Sequence, residues 1–242
     1  MSKLRRAFNM ITLYQFATSP MCEKVRRILN HKGLAYELVE VDRARAADHV
    51  AVSPFGKFPA MLLDGVPVCD STDIAHHLES AYPQRPLIPA DPLLAAQVHV
   101  LEDWADESLY FYEITMRISW ENNLRRNIRG FMATLPANLT EEEAFERVLK
   151  GSQQLVATQG LGRKTRAQVV ADASRHVRAL AAMLSAGPFL VGGQLTLADI
   201  AVASQYGCLM QSEEFVAETL QYPQLAAWLA RADQLASPRA PG

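Results

Sequence analysis

Four prolines, Pro83, Pro86, Pro89 and Pro92, lie close together just after the first third of the chain. Proline lacks the backbone N–H that helices and central strands use, so this segment can sustain neither element. A chain of 242 residues is long for one domain and comfortable for two. We therefore predict two domains, residues 1–82 and 93–242, joined by a linker over residues 83–92.

Strand and helix patterns alternate before the linker. Pro20 and Gly33 stand where a helix typically begins and ends, and Asp64-Gly65 is a typical hairpin turn. β-Branched and aromatic residues predict the strands around them. The predicted elements are a strand at 11–16, a helix at 20–32, strands at 36–41, 59–63 and 66–69, a short helix at 44–52 before the last two strands, and a helix at 71–81.

Only helical patterns follow the linker. Thr196 and Asp199 resemble a capping box at the start of one of these helices, which is a folding device with no catalytic role. The predicted fold class is an α/β N-terminal domain followed by an all-α C-terminal domain. The predicted C-terminal helices cover residues 93–120, 141–157, 165–185, 197–210 and 223–235.

Composition excludes several classes of function. A net charge of −2 argues against a general nucleic-acid binder, which usually carries a basic excess. No apolar run approaches the roughly 20 residues of a membrane-spanning helix. The three cysteines are far apart and odd in number, which favours a reducing cytoplasm over a disulfide framework. No spacing of metal ligands is present, so we expect no metal.

The first candidate site is the segment Ser19-Pro20-Met21-Cys22, between a predicted strand and a helix start. Unpaired N–H groups and the helix dipole favour negative charge there, and the Ser19 hydroxyl could donate to a thiolate. Alternatively, Ser19 is only an N-cap. Cys22 is either a small buried apolar residue or a thiol with a lowered pKa.

Two further candidate sites lie at the ends of the predicted hairpin. Pro59 opens a strand and must stand where no ladder bond is needed; if the bond before it is cis, the Phe58 backbone is free to pair with a ligand. Asp70 and Ser71, at a strand-to-helix turn, could receive an ammonium and a carboxylate. Taken alone, each of these two motifs is also explained as a turn or a helix cap.

The order and spacing of these motifs resemble the glutathione transferase superfamily. The strand, the Ser19-Pro-x-Cys22 helix start, the Lys57-Phe58-Pro59 segment and the Asp70-Ser71 helix start are similar to its thioredoxin-like domain. The box from Thr196 to Asp199 is similar to a feature of its helical domain. The resemblance implies the glutathione transferase fold, with glutathione as co-substrate, and a homodimer.

The resemblance also implies roles for individual residues. Ser19 would activate the glutathione thiol, and the Phe58 backbone before a cis Pro59 would pair with the cysteinyl part. Asp70 and Ser71 would hold the γ-glutamyl end, and Lys57 would lie near the glycyl end. Phe58 departs from the commoner Val or Ile, and Cys22 stands where glutaredoxins keep their second cysteine.

The expected activity is conjugation of the glutathione thiolate to a small hydrophobic electrophile, a detoxification reaction. The electrophile would lie between the domains, near an aromatic stretch that could equally be core or dimer interface: Tyr110, Phe111, Tyr112, Met116 and Trp120. Two alternatives stay open. One is a non-catalytic glutathione-binding or adaptor protein of the same fold. The other is a thiol–disulfide or dehalogenating enzyme that uses Cys22.

Overall fold

The computed structural model describes residues 10–240, so residues 1–9 and 241–242, at the ends of the two predicted domains, lie outside it. A four-stranded sheet and two α-helices form the first part. A 3-10 helix over Arg43–His49 stands where the short helix was predicted at 44–52. The other elements are β1 Ile11–Gln15, α1 Pro20–Lys32, β2 Glu37–Glu40, β3 Ala60–Leu63, β4 Val66–Cys69 and α2 Ser71–Ala81.

The strands of the sheet are arranged in the order β2-β1-β3-β4. β1 and β2 are parallel because α1 connects them, whereas β1–β3 and β3–β4 are antiparallel. The hairpin turns at Asp64 and Gly65, whose φ angles of 51° and 83° match the primed turn that an Asp-Gly pair favours. The predicted α/β, thioredoxin-like order of elements is confirmed.

Helices form the rest of the described chain. The first begins at Pro92, the last residue of the predicted linker. Two of them were not predicted: α5 is mostly polar, with a narrow buried stripe at Leu124, Ile128 and Phe131, and α9 has only seven residues. The helices are α3 Pro92–Asp103, α4 Tyr110–Glu113, α5 Glu121–Met132, α6 Glu141–Gln159, α7 Arg166–Met183, α8 Leu197–Leu209, α9 Glu213–Thr219 and α10 Pro223–Leu235.

Two π-helical turns, Trp104–Leu109 and Ile114–Ser119, interrupt a helical run over residues 92–119. A π turn holds an extra residue and so changes the direction of the side chains around it; such turns are rare and frequent at functional sites. The first turn carries Asp106 and the second carries Arg117, and both side chains contact the first part of the chain.

Helix α1 joins the two parts through the core, because its apolar face belongs to the same hydrophobic cluster as α8. The capping box at the start of α8 is present, with the Thr196 N–H donating to Asp199 Oδ2 at 2.9 Å. Asp199 also accepts a hydrogen bond from Trp228 Nε1 at 2.9 Å, which ties α8 to α10. Within residues 10–240, no helix combines the length and apolar character that crossing a membrane requires.

Candidate active site

The candidate residues meet at one edge of the sheet. In the strand register, Tyr14 of β1 is opposite Ala60 of β3, which is opposite Cys69 of β4. The loop after β1, the residues before β3 and the residues after β4 therefore leave the sheet at the same edge. Ser19, Phe58-Pro59 and Asp70-Ser71 lie in these three segments, so the fold brings all of them together.

Ser19 is the N-cap of α1, and its hydroxyl oxygen accepts a hydrogen bond from the Cys22 N–H at 3.4 Å. A hydroxyl accepts through its lone pairs and donates through its proton. Capping uses only the lone pair, so the Ser19 O–H remains available as a donor. Ser19 is half-buried at the start of a 13-residue helix, where the dipole favours negative charge. The cap and the thiolate donor are therefore compatible roles.

Cys22 lies one turn into α1 and is fully buried. Its Sγ accepts a hydrogen bond from the Phe16 N–H at 3.4 Å. Burial raises the pKa of the Cys22 thiol to about 11, against the weaker opposing effects of the Phe16 N–H and the Ser19 side chain. A lowered pKa was one of the two alternatives for this residue, and the structure gives the opposite direction. Cys22 is a neutral thiol packed in an apolar cluster.

The bond between Phe58 and Pro59 is cis. Phe58 precedes the first paired residue of β3, Ala60, by two positions, so its backbone N–H and C=O lie outside the sheet ladder. Its buried ring contacts Phe16 edge-on, with centroids 5.2 Å apart. Lys57 is exposed, and its carbonyl accepts a hydrogen bond from Ser53 Oγ at 2.5 Å.

Asp70 is the N-cap of α2 and has a φ of 74°, which is uncommon for a residue other than glycine. Both backbone hydrogen bonds that it accepts, from Thr72 N at 2.8 Å and Asp73 N at 3.4 Å, end on Oδ1. Oδ2 is therefore not used in capping, and Asp70 is exposed. A carboxylate oxygen is thus left to accept from an ammonium group.

Ser71 is buried in a charged cluster that the sequence analysis did not find, which we call the Lys24 cluster: Lys24, Ser71, Thr72, Glu102 and Asp106. Lys24, with 1% of its surface exposed, forms ion pairs with Glu102 and, at 2.6 Å, with Asp106. The ammonium also reaches Ser71 Oγ at 3.4 Å, and Ser71 donates to Asp106 Oδ2 at 3.3 Å. Burial raises the pKa of Asp106, and the Lys24 charge opposes that rise.

A second buried cluster, the Arg117 cluster, adjoins the Ser19 turn and consists of Thr18, Glu113 and Arg117. The Arg117 guanidinium donates to Glu113 Oε1 at 2.5 Å and to the Thr18 carbonyl at 3.2 Å. Burial raises the pKa of Glu113, and the Arg117 charge opposes it. Because Thr18 directly precedes Ser19, the second part of the chain holds the backbone beside the candidate thiol site.

The aromatic stretch divides between core and surface. Tyr112 and Met116 are buried in the main core. Phe111 packs beside Gly160, whose backbone leaves no room for a Cβ because the Phe111 ring would be 2.8 Å away. Trp120 lies under the Arg166 guanidinium at 4.3 Å. Tyr110 is partly exposed, and its ring contacts that of Phe111 with centroids 5.4 Å apart.

No group of three or more His, Cys, Asp or Glu side chains suited to a metal ion occurs in the part of the chain that the structure describes.

Comparison with known proteins identifies the family of this chain. Models of the glutathione S-transferase N-terminal and C-terminal domains match residues 13–86 and 163–231. Protein LigF of a Sphingobium species is 28% identical over 237 residues, which cover 91% of this chain and 88% of LigF. A probable glutathione transferase of Aplysia californica is 32% identical over 99 residues, which cover 40% of this chain and 98% of that protein.

Solved structures show the same fold. The crystal structure of the beta-etherase LigF has a TM-score of 0.63 at 24% identity and covers 92% of this chain and 94% of its own. Rice GST1, solved in complex with glutathione, has a TM-score of 0.62 at 23% identity and covers 94% of this chain and 89% of its own. The chain therefore belongs to the glutathione transferase superfamily and is an enzyme of the glutathione transferase type.

Proposed function

We propose that this protein conjugates glutathione to small electrophiles, with Ser19 as the residue that stabilises the thiolate. The observation that carries the proposal is the hydrogen bonding of Ser19, whose oxygen caps α1 while its O–H stays available. In the reaction, the thiolate sulfur forms a C–S bond to the electrophilic carbon, and the leaving group departs with its bonding pair. The thiol proton passes to solvent.

One hydrogen bond and the start of α1 together supply enough free energy to lower the thiol pKa toward neutrality. A free thiol has a pKa of about 8.5, and each pKa unit corresponds to about 1.4 kcal/mol of preference for the thiolate. One hydrogen bond to a charged group contributes about 1.5–3 kcal/mol, which lowers the thiol pKa by about one to two units. The start of α1 adds a further 0.3–1 kcal/mol, roughly. Ser19 can therefore bring the thiol close to half ionisation at neutral pH.

The other candidate residues would hold the tripeptide along the same edge of the sheet. Asp70 Oδ2 would accept from the γ-glutamyl ammonium, and the Phe58 backbone would pair with the cysteinyl unit. Ser71, whose hydroxyl already donates to Asp106, would bind the γ-glutamyl carboxylate through its backbone N–H at the start of α2. Lys57 would attract the glycyl carboxylate. In this proposal, residues 1–82 form the glutathione-binding domain, residues 83–92 the linker and residues 93–242 the helical domain.

One relative indicates a class of electrophile to test. LigF, to which this chain is similar over nearly its whole length, is a beta-etherase. An ether carbon whose alkoxide or phenoxide leaves fits the same attack by sulfur. We therefore include an aryl ether beside an aryl halide among the electrophiles to be tested. Turnover of either supports the proposal, whereas retention on immobilised glutathione without turnover of any electrophile would favour the adaptor alternative.

The decisive experiment titrates the thiol of bound glutathione by ultraviolet absorbance in wild type, Ser19→Ala and Ser19→Thr. We expect Ser19→Ala to raise the thiol pKa by about one to two units and to lower kcat/KM at neutral pH about tenfold or more. Ser19→Thr keeps the hydroxyl and should stay near wild type. An unchanged thiol pKa in Ser19→Ala would remove Ser19 from the mechanism.

Loss of a helix cap must be separated from loss of a donor. Thr140 caps α6 in a capping box with Glu143 and is exposed, away from the candidate residues. Thr140→Ala should destabilise the protein by about 1 kcal/mol, as Ser19→Ala also does through its cap, but it should leave the bound thiol unaffected.

We also propose that the protein is a homodimer. Its reaction would serve detoxification, and its compartment would be a reducing cytoplasm. Leu93 and Val100 lie two turns apart on α3, both about two-thirds exposed, and Phe55 is 88% exposed. Such exposed apolar side chains suit an interface between copies. The free cysteines, Cys22, Cys69 and Cys208, support a reducing compartment. Light scattering on wild type and Val100→Glu tests the dimer, since the variant should shift toward monomer.

A further inference from the structure

Arg43 is the first residue of the 3-10 helix and lies over the start of the loop that leads to Ser19. Its guanidinium carbon is 3.9 Å from the centroid of the Phe16 ring. Phe16 is the first residue after β1, three positions before Ser19. An arginine stacked on an aromatic face is held in plane and partly dehydrated, which strengthens its contacts with an anion.

Hydrogen bonds fix this arginine to the helical part of the chain. The Arg43 N–H donates to the Thr134 carbonyl at 3.3 Å, and Arg43 Nε donates to Thr134 Oγ1 at 3.4 Å. Thr134 is fully buried just after α5. Two bonds to one rigid residue, together with the stacking on Phe16, set the orientation of the guanidinium before any ligand arrives.

The two Nη groups of Arg43 have no hydrogen-bond or ion-pair partner within residues 10–240. The nearest candidate partner on β2, Glu40, is engaged elsewhere, because its oxygens accept from the Ala17 N–H at 2.5 Å and from Gln15 Nε2 at 3.0 Å. A guanidinium presents its donors as a planar fork that matches a carboxylate. Arg43 is thus oriented, accessible and without its own carboxylate.

The surroundings place these donors on the side of the helical part. The Arg43 charge lowers the pKa of Tyr110 and that of Glu113, although burial raises both more strongly. Tyr110 is partly exposed, and no hydrogen bond to its hydroxyl is formed by the described residues. The other nearby cation, Arg117, is already paired with Glu113. Arg43 is therefore an unpaired cation beside the loop that leads to Ser19, where the electrophile would meet the thiolate.

We propose that the electrophile of this enzyme carries a carboxylate, which the Nη groups of Arg43 bind. This inference rests on the proposed function, because it names the substrate class of the same reaction. It differs from recognition of the glycyl carboxylate of glutathione, which would affect every conjugation equally.

The test compares two electrophiles that differ in charge and by one methyl group, 4-chloro-3,5-dinitrobenzoate and its methyl ester. The quantity measured is the ratio of kcat/KM for the acid to kcat/KM for the ester, in which the intrinsic reactivities cancel between variants. We expect Arg43→Gln to lower this ratio roughly tenfold to a hundredfold, as loss of one or two charge-assisted hydrogen bonds implies. Arg43→Lys keeps the charge without the fork and should lower it less.

Arg45 supplies the matched control. It lies in the same 3-10 helix with 73% of its side chain exposed and forms an ion pair with Asp48 at 2.7 Å. Arg45→Gln removes the same charge from the same segment and should leave the ratio at its wild-type value. An equal fall in both variants would reduce the effect to net charge and overturn the proposal.

Two further outcomes distinguish the sources of a carboxylate effect. If Arg43→Gln raises KM for glutathione but not for γ-glutamylcysteine, and the acid-to-ester ratio stays constant, Arg43 binds the glycyl end and the proposal is wrong. If wild type turns over neither electrophile, the proposed function fails separately. Binding of 3,5-dinitrobenzoate and its methyl ester, followed by tryptophan fluorescence, then decides: a preference for the acid that depends on Arg43 supports the inference, and its absence overturns it.

Discussion

Two buried cations, Lys24 and Arg117, lie where α1 and the loop before it contact the helical part of the chain. They face different numbers of carboxylates. In the Lys24 cluster, one ammonium faces two carboxylates, those of Glu102 and Asp106, with hydroxyls of Ser71 and Thr72 between them. In the Arg117 cluster, one guanidinium faces one carboxylate, that of Glu113, and lies 4.9 Å from the centroid of the Phe131 ring.

The two clusters contact different residues of the candidate glutathione site. The Lys24 cluster includes Ser71, at the proposed γ-glutamyl end, whereas Arg117 donates to the carbonyl before Ser19, at the proposed thiol end. Asp106 and Arg117 come from the two π turns, whereas Glu102 lies in α3 and Glu113 in α4. We therefore expect the Lys24 cluster mainly to stabilise the assembled fold and the Arg117 cluster also to position the reacting end.

Removal of Lys24 should produce the largest effect. Lys24→Met would leave two carboxylates buried against each other without a cation, so we expect the free energy of unfolding to fall by about 5 kcal/mol, the upper end for a broken buried pair. Urea unfolding followed by circular dichroism measures it. Arg45→Met, at an exposed pair, should change stability by less than about 1 kcal/mol. Adding Asp106→Asn to Lys24→Met should restore only part of the loss, because Glu102 remains.

Removal of Arg117 should have a smaller effect on stability and a separate effect on the thiol. Arg117→Met leaves one buried carboxylate, Glu113, so we expect a loss of about 3 kcal/mol. Here the neutralising second change, Glu113→Gln, should restore most of the stability because the cluster is balanced one to one. In both variants the Thr18 carbonyl loses its donor, so the pKa of the bound glutathione thiol should stay raised even where stability returns. A thiol pKa that returned together with stability would show that Arg117 acts on the fold alone.

The pH dependence of the Lys24→Met deficit should follow the Asp106 carboxyl. Burial already raises the pKa of Asp106 in the folded state, and Lys24 opposes that rise, so the variant should raise it further. A carboxyl with a raised folded-state pKa binds protons more tightly when folded, so its penalty is full above that pKa and declines as pH falls through it. The deficit relative to wild type should therefore shrink as the pH falls from 8 toward 5. A deficit that is constant with pH would mean that the carboxyls are already protonated in the variant.

The loops of the site were predictable from sequence, and the clusters behind them were not. Ser19, Phe58-Pro59 and Asp70 stand at strand ends and helix starts, where local signals such as a cap, a proline or a change of period are strong. Lys24 and Arg117 belong to helical patterns in which a charged residue usually marks the solvated face. Their burial depends on partners distant in sequence, such as Glu102, 78 residues after Lys24, and on π turns that have no sequence signal.

Cys22 is the uncharged side chain with which the variants of both clusters can be compared, because it is a fully buried residue of α1. With a thiol pKa of about 11, roughly one molecule in ten thousand holds the thiolate at pH 7. We expect Cys22→Ala to cost about 1 kcal/mol, the ordinary loss for a small buried side chain, and to keep kcat/KM within about twofold of wild type. Steady-state conjugation and urea unfolding on the same preparation measure both quantities. A tenfold loss of turnover in a variant that unfolds normally would move the chemistry from Ser19 to the Cys22 thiol. If instead Cys22→Ala destabilised the protein as much as Arg117→Met, packing along α1 rather than charge balance would govern the difference between the two clusters.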